Sequence, residues 1–176
     1  LEQYGKDGLA FQRYGRVKQD GLGDDILSGN SLSIVGLYQA IYGINPLYNR
    51  FYLDPHITSD MNGTSLNYNF RGKRLVIKLD SNSYVVSDKT FKVSASKSFG
   101  FYTTKNQLSY FNGNSAIASL QATTATHLTI TITNWDKDKM EWRQSGSKPV
   151  TYVLHQLTPN TIYAFTVNGK RVKNVK

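Results

Sequence analysis

Three carboxylates lie close together on one glycine-rich loop. Asp20, Asp24 and Asp25 fall within the run Gln19-Asp-Gly-Leu-Gly-Asp-Asp25. Sugar hydrolysis needs one carboxyl group as an acid and a second as a base or nucleophile, and loop carboxylates also hydrogen-bond sugar hydroxyls. The alternative is a turn and capping role, because negative charge is favoured just before a helix N-terminus. These three residues are the candidate catalytic residues of the chain.

Two tryptophans border a charged segment. Trp135 and Trp142 flank residues 136–141, which read as an exposed loop. An aromatic ring can stack on the apolar face of a sugar, so both side chains are candidate carbohydrate-binding residues. The alternative is that they belong to the core, which is the usual place for aromatic residues in strand patterns. Three further aromatic residues could also stack on a sugar but lie in such patterns: Tyr102, Tyr110 and Phe111.

No other residue pattern favours a catalytic or metal site over a structural role. His56 lies two positions after Asp54 and could form a catalytic or metal pair, but no ligand spacing joins it to His127 or His155, so a structural role is favoured. The chain has no cysteine, which excludes disulfides and thiolate metal sites. Phosphate loops, dinucleotide fingerprints and zinc motifs are absent from the sequence. We therefore expect no metal and no cofactor.

The acidic loop leads directly into a single helix. No charged residue occurs between Asp25 and Arg50, and residues 31–42 are apolar on almost every side of a helix. A helix of this kind is typically buried all round. No other segment has a helical pattern, so we expect the helices that cover this one to lie in another part of a larger protein. The helical run of roughly 12 residues is shorter than the about 20 that a membrane span needs.

The rest of the chain has the sequence pattern of β-strands. After Pro46, short alternating runs follow one another, separated by Gly, Asn, Asp and Ser, and residues 127–133 alternate most clearly. The fold class predicted is mainly β: an antiparallel β-sandwich preceded by a loop and one buried α-helix from a truncated helical barrel. We expect the helical part to comprise residues 1–45 and the sandwich domain residues 46–176.

The chain is basic, with 21 Lys and Arg against 12 acidic residues and a net charge of +9. Such a balance suits an anionic partner. The basic residues are scattered, however, and only the tail Lys170, Arg171, Lys173 and Lys176 is dense. Its alternation with apolar positions indicates a strand with one solvated face, and polyanion binding by this tail is the weaker alternative. Nucleic acid is not an expected partner.

The order of several short motifs resembles the junction in six-hairpin, or (α/α)6-barrel, glycosidases. The motifs are Gly43-Ile-Asn-Pro46 after the helix, then Leu53-Asp-Pro55, Phe70-Arg-Gly72 and the strand Leu75-Val-Ile-Lys-Leu79. The resemblance implies the last barrel helix followed by a C-terminal β-sandwich, and it identifies no catalytic residue or substrate. Separately, Leu157-Thr-Pro-Asn-Thr-Ile-Tyr163 resembles the tyrosine corner of fibronectin type III domains.

From these observations we expect the C-terminal accessory part of a glycoside hydrolase that acts on a polysaccharide or oligosaccharide. Its partners would be carbohydrate and the missing helical barrel of the same protein, and its location secreted or periplasmic. The chain alone is not expected to be catalytic. The alternative is a non-enzymatic carbohydrate-binding or cell-surface adhesion module.

Overall fold

The computed structural model describes residues 13–17, 21–22, 28–96, 98–104, 107–112, 118–124, 126–146 and 149–175. These residues form one α-helix, one short 3₁₀ helix (Ser59–Met61) and sixteen strands. The α-helix and strands are β1 (Arg13–Tyr14), β2 (Gly21–Leu22), α1 (Ser28–Ala40), β3 (Ile44–Leu47), β4 (Arg50–Leu53), β5 (Thr64–Phe70), β6 (Lys73–Asp80), β7 (Ser83–Ser87), β8 (Phe91–Ala95), β9 (Phe99–Thr104), β10 (Gln107–Phe111), β11 (Ser119–Thr123), β12 (Leu128–Trp135), β13 (Met140–Ser145), β14 (Thr151–His155), β15 (Tyr163–Val167) and β16 (Lys170–Val175).

Two six-stranded sheets face each other across one hydrophobic core. Sheet I has the strand order β14-β11-β10-β9-β4-β3, and sheet II has the order β13-β12-β8-β7-β6-β5. Side chains alternate along each strand, so that Leu75, Ile77 and Leu79 of β6 are fully buried while Arg74 and Lys78 are exposed. The prediction of a mainly β fold with a sandwich architecture and one helix is confirmed.

One strand pair departs from the antiparallel pattern. β8 pairs with β12 in parallel, with Phe91 opposite Leu128 and Ala95 opposite Ile132. The three strands between them in the chain, β9 to β11, all lie in sheet I. The chain therefore returns to sheet II by a crossover, and a crossover connection permits parallel pairing where a hairpin does not.

A glycine joins the helix to the first sandwich strand. α1 ends at Ala40, and Gly43 adopts the left-handed conformation at φ +63°, which is common just after a helix end. A Cβ atom at Gly43 would lie 1.8 Å from the carbonyl oxygen of Asp54. The backbone N–H of Asp54 donates to the Gly43 carbonyl at 2.9 Å, and that of His56 donates to Ile41 at 2.9 Å. The helix end is thus fixed to the segment that follows β4.

The helix is only partly covered by the rest of the described chain. Tyr38, Ile41 and Tyr42 pack against the core at the start of sheet I, whereas the side chains of Leu32 and Val35 are 63% and 51% exposed. The predicted burial on every side is therefore not provided by the sandwich. Exposed large apolar side chains on one helix indicate a surface that gains stability when it is covered.

The two-part division of the chain stays a prediction. β3 begins at Ile44, so the sheet starts just before the expected boundary at residues 45 and 46. Pro46 lies within β3 and is tolerated because β3 is the edge strand of sheet I, where a missing N–H leaves no partner unpaired.

The C-terminal segment forms a separate two-stranded sheet from β15 and β16. Asn168 and Gly169 both have positive φ, 51° and 75°, which is the conformation expected for an Asn-Gly hairpin turn. The backbone N–H of Thr158 donates to the Tyr163 hydroxyl at 3.0 Å. The Tyr163 hydroxyl thus holds the turn before β15, as in the tyrosine corner that this segment resembles, and the basic tail is a strand as expected.

Candidate binding face on sheet I

The acidic candidates Asp20, Asp24 and Asp25 lie outside the described residues, so their role stays a prediction. Within the described part of the chain, no group of three or more His, Cys, Asp or Glu side chains could hold a metal ion. The remaining candidate residues in the described part of the chain are histidine and aromatic residues.

Asp54 and His56 do come together, but not as a catalytic pair. The His56 Nε2 atom lies 3.7 Å from Asp54 Oδ2, and the Ser98 hydroxyl donates to the other carboxylate oxygen of Asp54. In a nucleophilic triad the histidine stands between the hydroxyl and the carboxylate, because it must take the hydroxyl proton. Here the carboxylate stands in the middle. This arrangement links the loop that follows β4 to Ser98, the residue before β9. It supports the structural interpretation of His56.

Trp135 is a core residue, which corrects its assignment as a sugar-stacking platform. Its side chain is 1% exposed, and its indole N–H donates to the Ala118 carbonyl at 2.8 Å. The ring packs edge-on against Tyr110 with centroids 5.2 Å apart. Trp135 is the last residue of β12, and the register shift between Ile132 and Asn134 moves the alternation by one residue, so that Trp135 is directed inward. A buried ring offers no face to a sugar.

Trp142 is half-buried in an aromatic row that closes one edge of the sandwich. Its ring centroid lies 5.9 Å from that of Trp135 and 5.3 Å from that of Tyr152, which belongs to sheet I. The pKa of the Tyr152 phenol is raised, because burial raises it more than the hydrogen bond with Trp142 lowers it. The role of Trp142 in carbohydrate binding stays a prediction, and its contacts show that it also joins the two sheets.

Four residues on the outer face of sheet I form an aromatic cluster around an arginine. We call Arg50, Tyr52, Tyr102 and Phe111 the aromatic cluster. The Arg50 guanidinium lies 5.8 Å from the ring centroid of Tyr102 and 5.4 Å from that of Phe111. The rings of Tyr52 and Phe111 stack at 6.5 Å. Arg50 is exposed and the three rings are partly exposed, so a ligand can reach the cluster.

Strand register explains why these side chains meet. Tyr52 of β4 is opposite Gly100 of β9, and Gly100 is opposite Phe111 of β10, so all three lie on the same face. A Cβ atom at Gly100 would lie 2.0 Å from the tip of the Phe111 ring. The absence of a side chain at Gly100 therefore lets Phe111 lie across β9 towards Tyr52.

The other half of the same face is mainly polar, with Val153 opposite Gln121 as an exposed apolar member. Strand register places Ser119, Gln121 and His155 of β11 and β14 beside the aromatic cluster. The His155 Nε2 and Gln121 Oε1 atoms are 3.0 Å apart. The outer face of sheet I thus combines aromatic rings with amide, hydroxyl and imidazole groups, which together can stack on a ligand and hydrogen-bond its hydroxyls.

The other candidate surface is a depression at one end of the sandwich, with a volume of about 170 Å³. Its lining is rich in threonine and includes His127, whose Nδ1 atom lies 3.2 Å from the Lys89 carbonyl oxygen. It contains a single large aromatic side chain, that of Phe91, which is 2% exposed and belongs to the core. The cleft lacks an accessible ring and is the less suitable of the two surfaces for a sugar.

Sequence reasoning missed half of the aromatic cluster. Tyr102 and Phe111 are among the predicted stacking residues, but Tyr110, the third of that set, is 1% exposed. Arg50 and Tyr52 were not predicted because β3 and β4 were not predicted as strands. The alternation of Arg50, Phe51, Tyr52 and Leu53 was the available signal, and its four-residue length beside a proline made it weak.

Comparisons with protein-family models, with curated proteins and with solved structures find no match to this chain. Within the described residues, no helix has the length and apolar character that crossing a membrane requires. The functional conclusion therefore depends on the geometry of the described surfaces.

Proposed function

We propose that this chain is the accessory β-sandwich of a carbohydrate-active enzyme and that the outer face of sheet I binds its glycan. The observation that carries the proposal is the aromatic cluster, in which Arg50 lies over two rings on a partly exposed sheet face. Tyrosine and arginine side chains are enriched at binding interfaces, because each combines a large contact surface with hydrogen-bonding groups.

The composition of the face suits a sugar chain. A pyranose ring presents apolar C–H groups on its faces and hydroxyls around its edge. Tyr102 and Phe111 provide stacking surfaces for the former, and Gln121 and His155 provide hydrogen-bonding groups for the latter. A sheet face is extended, so it can contact several sugar units of one polysaccharide.

The resemblance to six-hairpin glycosidases adds the context of an enzyme. Two of its short motifs contact each other, since the Asp54 N–H donates to the Gly43 carbonyl. The Arg71 guanidinium of a third motif donates at 2.8 Å to the carbonyl of Tyr48, two residues after the first motif. The exposed apolar side chains of α1 are then the surface that packs against the remaining helices of the barrel. Catalysis would belong to that barrel, and a polysaccharide substrate places the protein in the secreted or periplasmic compartment. A non-enzymatic binding or adhesion module is the alternative and would use the same face.

The test is binding of the purified chain to a panel of neutral polysaccharides, followed by calorimetry on those that bind. Tyr102→Ala should weaken binding about tenfold, because truncating a central aromatic contact typically costs about 1–2 kcal/mol. Tyr38→Ala, which removes a partly buried ring of α1, is the size-matched control and should leave affinity unchanged. Equal affinity of the Tyr102 variant and the unmodified chain would contradict the proposal.

Gly100→Ala tests the same site without removing any aromatic group. The new methyl group displaces the Phe111 ring, and because φ of Gly100 is not positive, the backbone is not strained. We expect weaker glycan binding with little loss of stability. Gly36→Ala is the control, since a Cβ atom there meets nothing within 4 Å.

A further inference from the structure

The outer face of sheet II gathers basic residues that are scattered in the sequence. Strand alternation directs Arg74 and Lys78 of β6, Lys92 of β8 and Arg143 of β13 to this face, and all four are exposed. We call Lys78, Lys92 and Arg143, with Arg74 at the β5 side, the basic face. None of the four forms an ion pair with a carboxylate in the part of the chain that the structure describes.

The acidic groups on the same face are already engaged. Asp80, at the end of β6, accepts a hydrogen bond from the Gly63 N–H at 2.8 Å. Glu141 of β13 lies 3.0 Å from the Lys139 ammonium group. The hydrogen bond leaves the negative charge of Asp80 in place, and the pair of Lys139 and Glu141 is neutral, so the four cations outnumber the one carboxylate that has no cation beside it. This excess of positive charge favours an anionic ligand.

Register places the cations across the sheet and not along one strand. Lys78 is opposite Val85, Val85 is opposite Ser94, Ser94 is opposite Thr131, and Thr131 is opposite Arg143. Four strand intervals separate Lys78 from Arg143, which is roughly 19 Å at the usual spacing between strands. Lys92 lies between them on β8. A ligand that contacts all three must be extended and must carry repeated negative charges.

The groups between the cations are mainly hydroxyls. Ser87, Ser94, Thr129 and Thr131 occupy this face between the basic residues, with Val76 and Val85 as partly buried apolar members. Hydroxyl side chains can donate to and accept from the hydroxyls of a sugar. Aromatic rings that could stack on nucleic-acid bases are absent from these outward positions of the described strands, as are exposed large apolar side chains that could enter a lipid surface.

We propose that the basic face of sheet II binds a linear acidic polysaccharide, one that carries carboxylate or sulfate groups. This site is separate from the aromatic cluster on sheet I, and it is not the dense basic tail. The tail residues Lys170, Arg171 and Lys173 lie on β16, in a sheet of its own. Binding of neutral glycan at the aromatic cluster can therefore fail while this proposal holds, and the reverse is also true.

The experiment measures binding of the whole chain to polygalacturonate and to heparin, with dextran as the neutral polymer. One variant carries Lys78→Gln, Lys92→Gln and Arg143→Gln. The control carries Lys170→Gln, Arg171→Gln and Lys173→Gln, which removes the same number of lysines and arginines from β16. We expect the first variant to lose about tenfold or more in affinity for an acidic polymer and the control less than about twofold.

Salt dependence gives a second readout. Each cation that contacts the polymer releases counterions, so affinity falls as the salt concentration rises. The magnitude of the slope of log affinity against log salt should decrease by about two to three in the first variant and remain unchanged in the control. Equal loss in both variants, or no binding of either acidic polymer by the unmodified chain, would overturn the proposal. Tighter binding of single-stranded DNA or of phosphatidylserine vesicles than of both polysaccharides would also overturn it. Thermal unfolding verifies that the variants are folded.

Discussion

Tyr110 shows how one buried polar atom can affect the stability of the whole sandwich. Its side chain is 1% exposed, and its hydroxyl has no hydrogen-bond partner among the residues that the structure describes. The ring stacks on Phe99 and meets Trp135 edge-on. Burial raises the pKa of this phenol well above its ordinary value, with a smaller contribution from Tyr52.

Tyr110→Phe should stabilise the protein by about 1 kcal/mol at pH 7, because it removes a desolvated hydroxyl without removing the ring. The raised pKa adds a pH dependence. Below about pH 10 the phenol is neutral in both states, whereas at higher pH the unfolded chain loses its proton first and the free energy of unfolding falls by up to about 1.4 kcal/mol per pH unit.

The gap between the Tyr110→Phe variant and the unmodified chain should therefore widen above pH 10. Urea unfolding at pH 7 and at about pH 11 measures both effects. Tyr48→Phe, at a side chain that is 96% exposed, is the control for pH 7 and should leave the stability unchanged. Destabilisation by Tyr110→Phe would mean that the hydroxyl has a partner in the folded protein.

The two tryptophans should respond differently to truncation. Trp135→Ala removes a fully buried ring and a hydrogen bond to Ala118, so we expect a loss of about 3–5 kcal/mol. Trp142 is only half-buried, and Trp142→Ala should cost less. Chemical unfolding of both variants measures the difference. Equal and small losses would mean that Trp135 does not lie in the core.

At the scale of elements, α1 differs from the strands in how it is stabilised. The strands are held by sheet pairing and by the shared core, whereas the helix packs against the core through Tyr38 and through Ile41 and Tyr42, which follow its last residue. Gly43 fixes the direction in which the helix leaves the sandwich, because only a residue without a Cβ atom fits beside Asp54.

A double variant, Leu32→Asn with Val35→Asn, tests whether the exposed surface of α1 is a contact surface. Both side chains are more than half exposed, so the substitutions should cost the isolated chain less than about 1 kcal/mol. They should also reduce its self-association at high concentration, as measured by analytical ultracentrifugation. A large loss of stability would show that the sandwich itself covers these side chains. An unmodified chain that is monomeric at every concentration would argue against an adhesive surface.

At the scale of the whole molecule, the two sheets present different outer faces. Sheet I carries the aromatic cluster with its polar neighbours, and sheet II carries the basic face. The core between them is the same layer of apolar residues. One sandwich can thus offer two surfaces of different chemistry, because strand alternation gives each sheet an outer side that the core does not constrain.

We expect the chain alone to have no glycosidase activity. Hydrolysis needs two carboxyl groups held about 5–10 Å apart across the sugar, with surrounding walls that position it. The only candidates that the sequence offers are Asp20, Asp24 and Asp25, and one loop supplies no such walls. The measurement is an assay of the chain and of a longer protein containing it on a glycan panel. Turnover by the chain that disappears in Asp24→Asn or Asp25→Asn would contradict the accessory role.

Local patterns in the sequence determined most of the strands and turns. Alternation predicted β6 and β12 to within two residues at each end, and it predicted the basic tail as a strand, which is β16. The positive φ angles at Gly43, Asn168 and Gly169 also follow from local sequence, because glycine and asparagine adopt this conformation more readily than other residues. β3, β4 and β13 were missed. β3 and β4 have only four residues each, which leaves few alternating positions, and β3 contains a proline, while β13 begins inside the charged segment 136–141 that reads as a loop.

Only the tertiary structure decided which side chains meet. Trp135 and Trp142 look alike in the sequence, yet one is buried and the other closes an edge of the sandwich. Arg50 and Phe111 are distant in the chain and come together because β9 lies between β4 and β10, with a glycine at the crossing point. The physical reason is that alternation fixes the face of a residue within its own strand, while strand order and register fix its neighbours, and those depend on the packing of the whole chain.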